Sequence, residues 1–177
     1  MSLEGKIAVV TGGSRGIGRA VCLELARQGA AVVFSYAGNT AAARETEAAC
    51  AAQGRPARGV RADVTDAAAV KALLDGVVKE FGRIDILVNN AGITRDDLVM
   101  RMKEEDFDAV LATNLKGAFL CCKTAARTMI KQRFGRVVNV SSVVGLRGNA
   151  GQSNYAASKE MCIRDRWRSC TAGTANW

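Results

Sequence analysis

Tyr155 and Lys159 in "SNYAASK" stand four residues apart, a spacing that puts both side chains on one face of a helix. A phenol ordinarily titrates at about 10, and a neighbouring ammonium together with an oxidised nicotinamide stabilises the phenolate enough to make it an acid–base near neutrality. The chain contains no histidine, so proton chemistry falls to Tyr, Lys, Asp, Glu or Cys. Upstream, "RVVNVSS" brings Ser141 and Ser142 to the end of one apolar run, and "ILVNNAG" brings Asn89, Asn90 and Gly92 to the end of another. These groups suit a carbonyl reduction. Tyr155 protonates the carbonyl oxygen, Ser142 holds that oxygen, and Lys159 both tunes the tyrosine and anchors the ribose of a nicotinamide that delivers hydride.

The nucleotide half of such a site is legible near the start. "TGGSRGIG" places Gly12, Gly16 and Gly18 between the run "IAVV" and a helical stretch in which Ile17, Val21 and Leu25 share a face. A glycine loop between a first strand and a first helix lets backbone N–H groups and the positive helix end approach a phosphate. The following run ends in "FSYAGNT", with no carboxylate from Phe34 to Thr40 to grip a ribose 2′-hydroxyl. Arg15 can meet a 2′-phosphate instead, with Ser35 and Tyr36 as hydrogen-bond donors, which favours NADP(H) over NAD(H).

Five short apolar or β-branched runs alternate with helical-period stretches and must position these residues: "KIAVVT", "AAVVFSY", "ARGVRAD", "RIDILVNN" and "GRVVNVSS". Near-continuous apolar strands imply burial on both faces. The expected fold is therefore Rossmann-like α/β, a three-layer α/β/α sandwich with a parallel, doubly wound sheet. One long helix is expected over about residues 104–132 and another from about Gln152. Gly29, Gly54 and Gly82 each close a helical stretch, where a left-handed residue is cheapest as glycine.

The chain has 177 residues, 49% of them hydrophobic and 24% charged, which is enough for one domain with its own core. No apolar run reaches the roughly 20 residues that span a bilayer, and "MSLEGKIAVVTGG" lacks the order of a signal peptide, so the expected location is the cytoplasm, with no membrane partner. Cysteines 22, 50, 121, 122, 162 and 170 lack metal-type spacing; they read as buried or incidental thiols, and no metal is expected. The net charge of +8 is scattered, without a basic run or interleaved aromatics, which fits a solvated surface with one anion pocket better than nucleic-acid binding.

"TGGSRGIG", Asp63-Val64, "NNAG" at 89–92, Asn114 in "TNL", Ser141-Ser142 and "YAASK" occur in an order that resembles the motif set of the short-chain dehydrogenase/reductases, over residues 3–159. Within that family, "NNAGITRDDLVMRMKEEDFDAVLATNLKGAF" and "SSVVGLRGNAGQSNYAASK" most resemble the bacterial branch that reduces 3-oxoacyl thioesters on acyl carrier protein in fatty-acid synthesis. Reducers of acetoacetyl-CoA come close behind. The resemblance implies a catalytic set of Asn114, Ser142, Tyr155 and Lys159, with Asn114 positioning a proton-relaying water. It also implies an NADP(H) site formed by Gly12, Ser14, Arg15, Gly16, Ile17, Gly18, Ser35, Tyr36, Asp63, Val64, Asn90, Ala91, Gly92, Tyr155 and Lys159. From the residues alone, Asp63 also reads as a helix N-terminal residue ahead of "TDAAAV". A homotetramer is implied for full-length relatives. Lys131, Arg133 and Arg136 in "IKQRFGR" form a basic rim suited to an acidic carrier protein, with Arg133 the foremost candidate.

Relatives of this kind continue the tyrosine helix with small and apolar residues and then add two further strands and a substrate-covering segment. Here residues 160–177 carry neither helical nor alternating period. The expected organisation is therefore a partial Rossmann domain over 1–159, a sheet incomplete on its C-terminal side, and a non-native tail over 160–177. On that basis the 177-residue chain is expected to be inactive, and a nucleotide-binding fragment without turnover stands as the reading of another class.

Overall fold

A computed structural model describes residues 2–164, with side-chain detail through Glu160. Five parallel strands, β1 (Ile7–Val10), β2 (Ala31–Tyr36), β3 (Ala57–Arg61), β4 (Ile86–Asn89) and β5 (Arg136–Asn139), form one sheet in the order β3-β2-β1-β4-β5. The helices are α1 (Gly16–Arg27), α2 (Thr40–Ala52), α3 (Ala67–Phe81), α4 (Glu104–Leu111), α5 (Gly117–Lys131), α6 (Val144–Arg147) and α7 (Ser153–Arg164). The expected doubly wound parallel architecture is present. Because β2 and β4 lie on opposite sides of β1, the connections that leave β1 and β4 diverge and open a crevice at their carboxyl ends.

Strand alternation divides the core into two layers. Ile7, Val9, Val33 and Leu87 face α3 and α5 through Val70, Leu74, Val77, Cys121 and Ala125. Ala8, Val10, Val32, Phe34 and Val88 face α1 and α2 through Cys22, Ala26, Ala43 and Cys50. The three central strands are almost wholly buried, whereas β3 and β5, the edge strands of this sheet, are partly exposed. Asp66 caps α3 by accepting N–H bonds from Ala68 and Ala69. Gly29 (φ +96°) ends α1, its own N–H reaching the Ala26 carbonyl and that of Ala30 the Leu25 carbonyl, a paired closure that requires a left-handed residue.

On α1 the buried residues are Gly18, Cys22 and Ala26, with Val21 and Leu25 partly buried against the same core and Ile17 66% exposed at the helix start. Two local expectations change. The stretch from Glu104 to Lys131 is not one α-helix, since Ala112–Lys116 forms a π turn between α4 and α5. The helical pattern does not stop at Lys159: α7 continues through Arg164. Residues 165–177, the rest of the expected tail, lie outside the described residues.

Candidate active site

The glycine loop leaves β1 at Val10 and enters α1 at Gly16. Gly12 (φ +68°) and Gly16 (φ +55°) take backbone angles that a side chain resists. Gly18 needs its hydrogen for a different reason: a Cβ there would stand 2.2 Å from the Gly12 carbonyl oxygen and 2.5 Å from Asn90 Nδ2. The start of α1 therefore presses directly onto the loop. Arg15, Gly16 and Ile17 are exposed at the helix end, while Ser14 is buried, its carbonyl accepting the Thr46 hydroxyl at 3.1 Å.

Ser35 departs from its expected role. It is 1% exposed beneath the loop, where its Oγ accepts the Gly12 N–H at 3.4 Å and its carbonyl accepts the Gly13 N–H at 3.0 Å. It supports the loop, which leaves Arg15 and half-buried Tyr36 as the accessible groups of that set. Arg61, opposite Tyr36 in register, adds a cation the sequence reading passed over; its Nε donates to the Ala37 carbonyl at 3.1 Å. Asp63 is exposed and folds onto Thr65, accepting its N–H and its hydroxyl. The helix cap is Asp66 rather than Asp63. Val64 is buried against Gly117, where a Cβ would lie 2.8 Å from Val64 Cγ2.

The chain leaving β4 lies across the crevice and is bound to the loop. The Thr11 hydroxyl accepts the N–H groups of Asn90 and Ala91, each at 3.0 Å, and Asn90 Nδ2 donates to the carbonyls of Thr11 and Gly12 at 3.0 and 3.1 Å. Thr11 was not singled out from sequence, though its place at the end of β1 is a usable signal. Asn89 faces β5 instead, donating to Asn139 Oδ1 at 2.8 Å.

Asn114 sits in the π turn and is 2% exposed. Its Oδ1 accepts the Ile93 N–H at 2.8 Å, and its Nδ2 donates to the Ile93 carbonyl and to Ser158 Oγ, both at 3.0 Å. A π turn widens the helix by one residue and is common at functional sites. Lys159, 5% exposed, donates from Nζ to the Val140 carbonyl at 2.8 Å, and this ammonium lies 5.8 Å from the centre of the Tyr155 ring. A Cβ on Gly92 would come within 3.1 Å of Asn114 Oδ1 and 3.6 Å of Lys159 Nζ. Asn114, Gly92 and Lys159 thus converge on one point of the rim.

The two serines after β5 separate. Ser141 Oγ donates to the Lys159 carbonyl at 2.9 Å and fastens α7 to the sheet. Ser142 Oγ accepts the Val144 N–H at 3.2 Å and so retains its hydroxyl proton for another acceptor. The basic stretch, by contrast, lies at the opposite end of the sheet. Arg136 opens β5 while Ser142 follows its far end, and α5 ends at Lys131. A carrier protein docked on Lys131, Arg133 and Arg136 would sit at the strand amino ends, away from Tyr155 of the same chain.

Burial pushes the Cys22 and Cys121 thiols up to about 12, assisted by Cys50 and Cys122 respectively. The four described cysteines are all buried. Among the described residues no cluster of three or more metal-ligating side chains occurs, and no helix is long and apolar enough to cross a membrane.

A glycine loop under a helix end, joined at a crevice to an Asn–Ser–Tyr–Lys set, defines a class, and residues 6–164 match the family described as short chain dehydrogenase. The chain belongs to the short-chain dehydrogenase/reductase family. A protein of Staphylococcus aureus named 3-oxoacyl-[acyl-carrier-protein] reductase FabG is 51% identical over 158 residues, covering 89% of this chain and 64% of that protein. Its namesake in Escherichia coli is 47% identical over 163 residues, covering 92% of this chain and 65% of that protein. The chain therefore spans about two thirds of the length of these relatives. A solved structure described as NAD+-bound xylitol dehydrogenase superposes with a TM-score of 0.88 at 38% identity, covering 93% of this chain and 63% of that one.

Proposed function

We propose that this protein is an NADPH-dependent reductase of 3-oxoacyl thioesters, acting on carrier-linked chains in fatty-acid synthesis, with Asn114, Ser142, Tyr155 and Lys159 as its reacting set. The observation that carries this reading is the convergence of Asn114 and Lys159 over Gly92, beside Tyr155 and within the crevice that the glycine loop borders. The residues fit a dinucleotide. The loop presents the exposed start of α1 at Arg15, Gly16 and Ile17, with no Cβ at Gly16, and Gly92 keeps the rim open. Arg15 and Tyr36 border the ribose end, where "FSYAGNT" supplies no acid. When bound, the nicotinamide supplies the hydride.

The chain's own groups handle the oxygen and the proton. Ser142, whose Oγ already accepts from Val144, directs its hydroxyl proton at the substrate carbonyl. Tyr155 donates its phenolic proton to that oxygen as negative charge builds there. The Lys159 ammonium favours the resulting phenolate electrostatically. The buried hydrogen bond to Val140 holds the ammonium in place. Asn114 grips Ile93 on both of its backbone groups and so fixes the chain that follows Gly92.

The test is NADPH consumption with acetoacetyl-CoA and with an acyl-carrier-linked substrate, by the 177-residue chain and by the same chain carrying a family-like C-terminal ending, on which the reductase reading is judged, beside fluorescence titration of NADPH and NADH. Reduction lost in Tyr155→Phe, and an NADPH preference lost in Arg15→Ala, support the reading. Cofactor binding without reduction of any 3-oxoacyl thioester overturns it in favour of a nucleotide-binding module. Equal affinity for NADPH and NADH overturns the cofactor assignment.

A further inference from the structure

The segment after β4 is fastened at both ends. Thr11 and Asn114 hold residues 90–93, as described above. Residues 95–97 are held by the residues just ahead of Tyr155. The Asp97 N–H donates to the Gly151 carbonyl at 3.0 Å, Gln152 Nε2 to Asp96 Oδ2 at 2.9 Å, and Asn154 Nδ2 to the Arg95 carbonyl at 2.9 Å. The Gln152 bond lies at the surface, where water competes with it. Asn154 is 0% exposed, so loss of its amide leaves buried polar groups without solvent to replace it.

The same amide also turns toward the tyrosine. Tyr155 stands in the first turn of α7, where backbone N–H groups have no acceptor within the helix. Its N–H donates to Asn154 Oδ1 at 2.7 Å. On the other side, fully buried Ser158 donates its hydroxyl to the Tyr155 carbonyl at 2.8 Å while accepting from Asn114 Nδ2. Both backbone polar groups of Tyr155 are thus gripped by buried side chains. One of these grips leads back to Asn114, and the other leads to the Arg95 carbonyl.

We propose that Asn154 is the positioning residue for Tyr155: its single buried amide ties the start of α7 to the Arg95 carbonyl and thereby sets where the Tyr155 hydroxyl meets the substrate. This role rests on the reading of Tyr155 as proton donor. Only a short side chain with both a donor and an acceptor makes these two bonds. Aspartate lacks the donor, and serine is too short for Arg95.

The test compares Asn154→Ser, tolerated in the first turn of a helix, and Asn154→Asp with the parent chain and with Tyr155→Phe. The chain has two tyrosines, so tyrosine-selective carbon-13 labelling gives two ring signals, and Tyr155→Phe identifies the one that belongs to residue 155. In Asn154→Ser the Tyr155 signal is expected to move while that of Tyr36 stays. Reduction of acetoacetyl-CoA per bound cofactor, measured with a family-like C-terminal ending in place on parent and variants alike, is expected to fall about tenfold or more with NADPH affinity held within about twofold. If Asn154→Asp does not fold, Asn154→Ser alone decides. A lowered unfolding midpoint with the Tyr155 signal and the rate per cofactor site unchanged makes Asn154 merely structural and overturns the inference. Tyr155→Phe reducing as fast as the parent overturns the reading of Tyr155 itself, whereas a dead Tyr155→Phe beside an unaltered Asn154→Ser overturns the inference alone.

Discussion

Gly18→Ala tests whether the glycine loop is shaped by contact with its own helix. The added methyl would lie 2.2 Å from the Gly12 oxygen, 2.5 Å from Asn90 Nδ2 and 2.9 Å from the Gly12 carbonyl carbon. Relief requires the Gly12 peptide to retreat by about 1 Å, and that peptide is backbone, which yields less readily than a side chain. The methyl also wedges the Asn90 Nδ2 to Gly12 oxygen bond, 3.1 Å long. Overpacking costs about 1–3 kcal/mol and the lost hydrogen bond about 1 kcal/mol. Alanine returns about 1 kcal/mol of helix propensity, because Gly18 lies within α1. The net expectation is a loss of about 1–3 kcal/mol, read as a lower urea midpoint at unchanged slope. NADPH affinity should fall at least about tenfold as the loop is displaced. Gly76→Ala in α3 is the control, since nothing lies within 4 Å of a Cβ there; it should gain up to about 1 kcal/mol. A Gly18→Ala chain as stable as the parent, with cofactor affinity intact, refutes the contact argument.

Asn114→Leu should destabilise by about 2–4 kcal/mol in denaturant titration, because it orphans both backbone groups of Ile93 and removes the bond to Ser158; an unchanged midpoint would show that the π turn does not depend on this side chain. Ser142→Ala should abolish most reduction with little loss of stability, whereas Ser141→Ala should lower the unfolding midpoint by about 1 kcal/mol through the lost tie to the Lys159 carbonyl; equal activity losses in the two would contradict their division of labour. Cys22 and Cys121 should resist an aromatic disulfide reagent at pH 8 in the folded chain and react on unfolding, since burial raises both thiols to about 12. The sign of the linkage follows from that rise. Their stabilising contribution is full below the ordinary value of 9.0 and drains away between that pH and about 12, so alanine at these positions should flatten the alkaline loss of stability.

Much of the fold was legible because its signals are local. The five runs from "KIAVVT" to "GRVVNVSS" became β1 to β5, and Gly29, Gly54 and Gly82 all adopt positive φ after helices. What the sequence hid depends on partners distant along the chain. Periodicity showed that Ile17, Val21 and Leu25 share a face of α1, but not that Gly18 must be bare because the loop and Asn90 approach it so closely. The π turn at 112–116 has no period of its own in eleven or so residues of apolar pattern; it forms where Asn114 finds Ile93, 21 residues away. The short helix α6 and the last turn of α7 also went unread, the latter because "EMCIR" is too brief to show a helical face.

The sequence by itself determined the class of the fold and which residue types meet at the strand carboxyl ends, because strand burial, helix period and glycine closure are each encoded within a few neighbouring residues. Only the tertiary structure decided which chemistry-bearing side chains remain available. Ser35 and Ser141 match the site's residue types as well as Ser142 does, but the first is buried beneath the glycine loop and the second donates its hydroxyl to the Lys159 carbonyl. Arg133 lies near Ser142 in sequence and at the other end of the sheet in space. The physical reason is that a hydrogen bond or a burial event is settled by whichever group arrives within about 3 Å, and in a parallel sheet those arrivals come from crossovers tens of residues away.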